Sequence, residues 1–330
     1  MIKIETNIGI AKYKQIIKSI EIAILSGSLK KGDRIPSINS IKDEYKLSRD
    51  TVLMAFNELK NRGIIHSVVG KGYFLSSENI EVSKKIFLLF DELNSFKEDL
   101  YSSFLENLGP NVQVDIFFHH FNITTFQNLI RDNSGDYNYY VIMPANLKET
   151  NLYIELLPSN KVYILDQIHK DLSHYPAIYQ NFEKAIYDNL KKAENLIKKY
   201  NKLILVFFEA KQPKGMLKGF LKFCESIEIS YEVISSLKDR SLEKGELYII
   251  PDDKSLLVLI KKLKNNGIVL GKDLGVISYN DSLLNEVVEG GITTISTDFN
   301  MMGKRLAEMI LNKEQFKIEN PNNLIIRKSL

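Results

Sequence analysis

Five histidines, His66, His119, His120, His169 and His174, and one cysteine, Cys224, are the groups in this chain best equipped for catalysis or metal binding. None of the histidines stands in an HExxH or other paired-ligand spacing. His119-His120 ends an apolar run, where alternation sends the two rings to opposite faces. Cys224 has no second thiol for a disulfide or a metal pair and reads as a buried filler. Gly70-Lys71-Gly72 is too short for a phosphate-cradling loop and lacks its Ser or Thr, and no GxSxG elbow occurs. No enzyme, metal site or cofactor is therefore expected.

The chemistry that remains is recognition. Ser48 and Arg49 stand at the mouth of an amphipathic stretch, and a Gly-Lys-Gly corner follows between two apolar runs, Ile64 to Val69 and Tyr73 to Leu75. A capped helix start exposes free backbone N–H groups that suit phosphate, and an Arg there can reach a guanine edge in the major groove. A thin glycine corner with one lysine can lie along the minor groove. Charge is divided in keeping with this. Residues 1–78 hold 13 Lys+Arg against 8 Asp+Glu, whereas the whole chain nets only +3. A basic head on a near-neutral body points to a polyanion at one end.

The elements that must position these residues are legible in the spacing. Tyr13, Ile16, Ile17, Ile20 and Ile24 share one helix face, and Gly27 follows as a left-handed stop. Pro36 ends what precedes it, Ser37 caps a short helix to about Tyr45, and Ser48 caps a third running to Arg62 and Gly63. In the third helix Val52, Ala55, Phe56 and Leu59 face inward, leaving Arg49, Asp50, Leu53, Met54 and Asn57 outside. Three short helices and a hairpin make a winged helix-turn-helix domain, an α+β unit over residues 1–78. Residues 79–84 are polar and unpatterned, and are expected to be a linker.

From residue 85 onward, eight apolar runs alternate with helix-length segments: 86–90, 114–118, 139–143, 162–166, 203–208, 231–234, 247–250 and 274–279. Strands apolar on both faces and separated by helices indicate parallel sheets covered on each side, and eight of them suffice for two sheets.

The head resembles the DNA-binding domain of the GntR family of bacterial regulators from Tyr13 to Leu75, most specifically in "GDRIPS", "LSRDTV" and "GKGYF". That resemblance implies DNA contacts from Ser37 and Asn39 in the second helix, from Ser48, Arg49, Asp50 and Thr51 in the third, and from Gly70, Lys71 and Gly72 in the wing. Asn39 stands where the family usually carries Arg, and Leu53 where an Arg often follows "TV", so the operator sequence does not carry over from relatives.

Residues 246–311 resemble the effector domain of the LacI repressors and the type I periplasmic sugar-binding proteins, through "GKDLGVISYNDS" and "ITTISTDFNMMGKRLAEMIL". "VYILDQ" and "IYQNFEKAIYDNLKKAENLI" extend the likeness over most of residues 84–328. It implies an α/β two-lobed, periplasmic-binding-protein-like (type I) domain over 85–330 with two parallel sheets. Lobe one would take about 85–178 plus 298–318, and lobe two about 179–297 plus 319–330. Ligands of such folds sit outside the carboxyl ends of the strands, between the lobes. The effector-binding residues so implied are Asp166, Asp252, Asn280 and Asp281 as polar contacts, and Phe299 as a ring platform. Phe96, after the first strand, and Gln180, near the first crossing between lobes, complete the set. Met216 replaces an Arg frequent in the family. Acceptors beside an aromatic suit a neutral polyol; the resemblance implies a sugar, a pentose or deoxyhexose, since sugar catabolism is the usual business of such regulators.

The function expected is a cytoplasmic, homodimeric transcription regulator that reads a near-palindromic double-stranded DNA operator under control of a monosaccharide or derivative. No membrane partner is expected, since nowhere do eighteen uncharged apolar residues run together. A rival expectation is a constitutive DNA-binding protein whose cleft is vestigial.

Overall fold

The computed structural model describes residues 2–5, 10–82 and 84–330. Met1, Thr6, Asn7, Ile8 and Gly9 of the expected head, and Ser83 of the expected linker, lie outside the described residues.

The head runs α1 (Lys12–Leu25), β1 (Arg34–Ile35), α2 (Ile38–Tyr45), α3 (Arg49–Asn61), β2 (Ile65–Val68) and β3 (Gly72–Leu75). Ile16, Ile17, Ile20 and Ile24 of α1 and Val52, Ala55, Phe56 and Leu59 of α3 are all buried in one core. Each of the two shorter helices starts on a serine that accepts a backbone N–H three residues on, Ser37 from Ser40 and Ser48 from Thr51, both at 3.1 Å. The wing has a third strand that the sequence did not declare: β1 pairs antiparallel with β3, giving the order β1-β3-β2. Two residues carry no period, which is why β1 escaped notice. Phe56 meets the Tyr73 ring edge-on at 4.7 Å, locking α3 to the wing.

The expected linker is packed rather than loose. Ile80 lies against the head core and Val82 is buried, while Arg62 donates from Nε to the Val82 carbonyl at 2.8 Å and from Nη2 to that of Ile80 at 2.7 Å.

The body begins with β4 (Lys84–Phe90), α4 (Ser95–Leu108), β5 (Val112–Phe118), α5 (Ile123–Asp132), β6 (Tyr139–Ile142), α6 (Asn151–Ile154), β7 (Val162–Asp166) and β8 (Ala177–Tyr179). It continues with α7 (Phe182–Lys192), α8 (Glu194–Ile197), β9 (Lys202–Val206), α9 (Lys214–Ser226), β10 (Ser230–Ile234), β11 (Glu246–Ile250) and α10 (Asp253–Asn266). Then come β12 (Gly275–Tyr279), α11 (Leu283–Val287), β13 (Thr293–Thr297), α12 (Phe299–Asn312), β14 (Lys317–Glu319) and β15 (Asn322–Ile325). Two six-stranded sheets result, ordered β14-β8-β7-β6-β4-β5 and β10-β9-β11-β12-β13-β15. All pairings in them are parallel except β13 with β15. We call the first sheet lobe one and the second lobe two. The chain passes between them after β8, after β13 and after β14.

Eight strands were expected in the body, and β8, β13, β14 and β15 are additional. Three of these are three or four residues long, and β13 reads TTIST, polar in composition yet buried throughout. Tight helix packing supports each lobe. An added Cβ at Gly303 of α12 would sit 2.3 Å from the Leu100 carbonyl of α4, and one at Gly219 of α9 would sit 2.4 Å from the Glu183 carbonyl of α7. Glycine is what lets these helix backbones approach.

Candidate functional site

The chain carries two candidate sites, one in the head and one in the body. In the head, Ser37 and Asn39 of the α2 start, Ser48, Arg49 and Asp50 of the α3 start, and Gly70 and Lys71 of the wing are exposed. Thr51 and Gly72 are half-buried, and the Thr51 hydroxyl lies 2.8 Å from that of Ser48. Gly70 and Gly72 hold φ at +74° and +105°, and the Lys71 N–H donates back to Val68 at 3.0 Å, so the corner is tight and presents its lysine outward. Arg34, unremarked in the sequence, reaches the same corner: its guanidinium lies 3.5 Å from where a Gly72 Cβ would stand. Arg34 and Lys71 thus stand at the wing corner, and Arg49 stands exposed at the start of α3.

In the body, a cleft of about 910 Å³ opens between the lobes at the carboxyl ends of their strands. Phe96, Asp166, Gln180, Asp252, Asn280 and Phe299 all line it. Asp166 and Asn280 directly follow or end strands β7 and β12, and each takes a left-handed turn there, at φ +70° and +66°. Asp and Asn tolerate that conformation better than other side chains. Asp166 keeps some surface toward the cleft yet lies deep in the molecule, and burial pushes its carboxyl up from 3.8 to about 6. The Asp91 charge adds to the rise, while Lys97 and the Gln180 amide oppose it.

Gln180 is the joint of the floor. Its Nε2 donates to Asp166 at 2.6 Å, and its Oε1 accepts from the Tyr279 hydroxyl at 3.0 Å and from that of Thr297 at 2.6 Å. One buried amide thus ties lobe one to lobe two beside two of the three crossings. Asn280 differs: its Oδ1 is buried and has no hydrogen-bond partner among the described residues. An acceptor left unpaired beside a cavity is a position where a ligand donor gains most. Phe96 and Phe299 stack with centroids 5.1 Å apart, giving an apolar wall.

Asp252 lines the cleft but is committed to capping α10, accepting from the Ser255 N–H at 2.8 Å. Asp281 is elsewhere. Its two carboxylate oxygens each pair with the Arg327 guanidinium at 2.7 Å, and it is not among the lining residues. The turn at Asn280 sends the two neighbours apart, and Arg327 of the C-terminal segment captures the second.

The sequence reading missed Asp91 and Lys97, which form a buried ion pair on the lobe-one wall of the cleft. Asp91 directly follows the first apolar strand, the same signal that singled out Asp166. It also missed the residues that close the mouth. Lys211 pairs with Glu92 across the lobes at 2.6 Å and lies 5.0 Å over the Phe121 ring, and Asn146 donates to the Gln212 carbonyl at 2.6 Å. Among the described residues no cluster of His, Cys, Asp and Glu could hold a metal ion, and no helix is long and apolar enough to cross a membrane.

A winged helix-turn-helix head joined to two lobes that enclose a ligand-sized cleft defines a ligand-controlled, DNA-binding transcription regulator. Comparison with known proteins agrees with both halves. Residues 12–75 match the bacterial regulatory proteins of the gntR family, and residues 198–330 match the periplasmic binding protein-like domain. The arabinose metabolism transcriptional repressor of Geobacillus stearothermophilus is 21% identical over 97% of this chain and 96% of its own length. The HTH-type transcriptional repressor YtrA of Bacillus subtilis is 30% identical over 35% of this chain and 85% of its own. A solved LacI family transcriptional regulator from Silicibacter pomeroyi shares the fold with a TM-score of 0.63 at 14% identity, over 74% of this chain and 98% of its own. The chain belongs to the gntR family of bacterial regulatory proteins, and its body has the periplasmic-binding-protein-like fold that the solved LacI family regulator shares.

Proposed function

We propose that this regulator is a homodimeric repressor of sugar-metabolism genes, that it reads a near-palindromic operator, and that its effector is a neutral monosaccharide, a pentose foremost. The observation that carries the effector class is the cleft floor. Asp166 offers a carboxylate, Asn280 an unpaired carbonyl and Lys97 an ammonium held beside Asp91, in the same cleft as the stacked Phe96 and Phe299. Hydroxyl groups both donate and accept, so they match such a mixed set, and a sugar ring offers an apolar face to an aromatic wall. Five carboxylates and four lysines line the cleft, a near balance that favours a ligand without net charge. The name of the Geobacillus relative, an arabinose metabolism repressor, supports a pentose.

The DNA-contacting set is proposed as Ser37, Asn39, Ser48, Arg49, Asp50, Thr51, Gly70, Lys71 and Gly72, with Arg34 added beside the wing. The effector set is proposed as Phe96, Asp166, Gln180, Asn280 and Phe299, with Asp91 and Lys97 added. Thermal denaturation of the full chain against a panel of pentoses, hexoses, sugar phosphates and nucleosides tests the class. A sugar at 100 times its dissociation constant should add about 2.7 kcal/mol to the stability of the body. Stabilisation by the phosphates alone, or by nothing in the panel, rejects a neutral sugar.

A further inference from the structure

The head meets lobe one through the end of α3 that lies away from Ser48 and Arg49. Lys60, in the last turn of α3, pairs with Asp136 of the α5–β6 connection at 2.7 Å. Just beyond, Gly63 holds φ at +69°, and an added Cβ there would lie 3.1 Å from the Lys85 side chain of β4. Lys85 is itself fixed. Its Nζ pairs with Asp115 at 2.7 Å and lies 4.6 Å over the Tyr137 ring, whose hydroxyl donates to the same carboxylate at 2.7 Å. Lys161 of lobe one donates to the Tyr137 carbonyl at 3.5 Å, and burial lowers its pKa while the charge of Glu58 on α3 counters that. Head charges Glu58 and Lys60 thus face lobe-one charges Lys161 and Asp136 of opposite sign.

The covalent connection adds to this contact. Arg62 follows α3, pairs with Glu21 of α1 at 2.7 Å, and holds the carbonyls of Ile80 and Val82. The first strand of lobe one starts at Lys84. The chain is therefore held to the head up to Val82 and enters a sheet two residues later, which leaves little length for the head to swing.

A half-buried ion pair still contributes only modestly, so neither Lys60 nor Asp136 would fix an orientation by itself. A short tether changes that: with the chain held on both sides of residue 83, one lateral pair removes most of the remaining rotation. We propose that α3 is clamped at its C-terminal end to lobe one, so that the recognition helix and lobe one turn as a single body while lobe two moves against them. Its regulatory consequence rests on the function proposed above, but the mechanical claim does not. At 13 residues α3 is about 20 Å long, so a rotation of lobe one reaches the DNA-reading end undiminished.

Pulsed electron paramagnetic resonance on the full chain reads the clamp. Spin labels go on Lys18→Cys in α1 and Glu106→Cys in α4, both exposed, with labelled chains diluted in unlabelled ones so that distances within a chain dominate. The native Cys224 is fully buried and its thiol is pushed up to about 12, so it stays silent. The unmutated background should give one narrow distance distribution. Lys60→Glu or Asp136→Lys should each broaden it, and the two together, which restore opposite charges, should narrow it again. A broad distribution in the unmutated background, or single charge reversals that leave it unchanged, overturns the clamp. Should Asp136→Lys fail to fold, Lys60→Glu decides alone. A narrow distribution in a protein that binds no DNA at low salt would sink the regulator reading and leave the clamp standing.

Discussion

Replacing Asp166 by Asn separates the needs of the cleft from those of the fold. The carboxyl is raised from 3.8 to about 6, chiefly by burial. A carboxyl shifted upward favours the folded state most when protonated. Its contribution is whole below about pH 3.8 and is lost as the pH rises through about 6. The shift corresponds to about 3 kcal/mol above pH 8, about half of that at pH 5, and almost nothing at pH 3. Asn has no proton to lose and can still accept from the Gln180 amide as the acid does. Asp166→Asn should therefore stabilise the empty protein at pH 8, by up to about 3 kcal/mol relative to its effect at pH 3. It should also weaken sugar binding at least about tenfold, since a hydrogen bond to a charged group is removed. Urea unfolding of both proteins from pH 4 to 8, following the transition of the body, measures the first effect. A stability difference that does not change with pH, or one that falls as pH rises, refutes the account of Asp166.

Other outcomes follow from the same geometry. Asn280→Ala should cost the empty protein about 1 kcal/mol, because Ala fits the left-handed turn at φ +66° less well than Asn, and should also reduce sugar affinity by about 0.5 to 1.5 kcal/mol, read by calorimetry. Arg49→Ala should cost about 1 to 3 kcal/mol of operator affinity and relax sequence preference, in an anisotropy competition against mutated operators. Lys71→Ala should weaken all sequences alike and lower the salt slope of binding by about one. Lys211→Ala opens a clasp whose partners are 46% and 35% exposed, so it should change stability by at most about 1 kcal/mol, while stopped-flow release of sugar becomes faster.

The sequence made some parts of this molecule plain and hid others for physical reasons. The head was legible because its signals are local: Ser37 and Ser48 cap, Gly63 stops, and four apolar residues of α3 repeat at helical spacing. Arg34 was hidden because its place beside Gly72 depends on a two-residue strand pairing across the wing. In the body, long apolar runs announced the central strands, whereas KIE and NNLI become strands only because each lobe needs an edge. Asp166, Asn280 and Phe299 could be found by their positions after strands. Asp281 met the same criterion and went instead to Arg327, a partner 46 residues away that no local pattern announces. Lys97 and Asp91 were passed over because isolated charges usually stay in water, and only the cleft shows them buried together. The contacts of Lys60 and Arg62 with the body and linker were equally silent, since long-range pairings leave no trace in spacing.

Ligand control requires that a filled cleft alter the grip of the head on DNA. Fluorescence anisotropy of the full chain on a duplex from upstream of its own gene, with and without a sugar that raises its melting temperature, tests this most directly. The dissociation constant should change about five- to 150-fold, the usual span for coupling through a small ligand. Identical binding curves in the presence of a sugar that demonstrably occupies the cleft would contradict it.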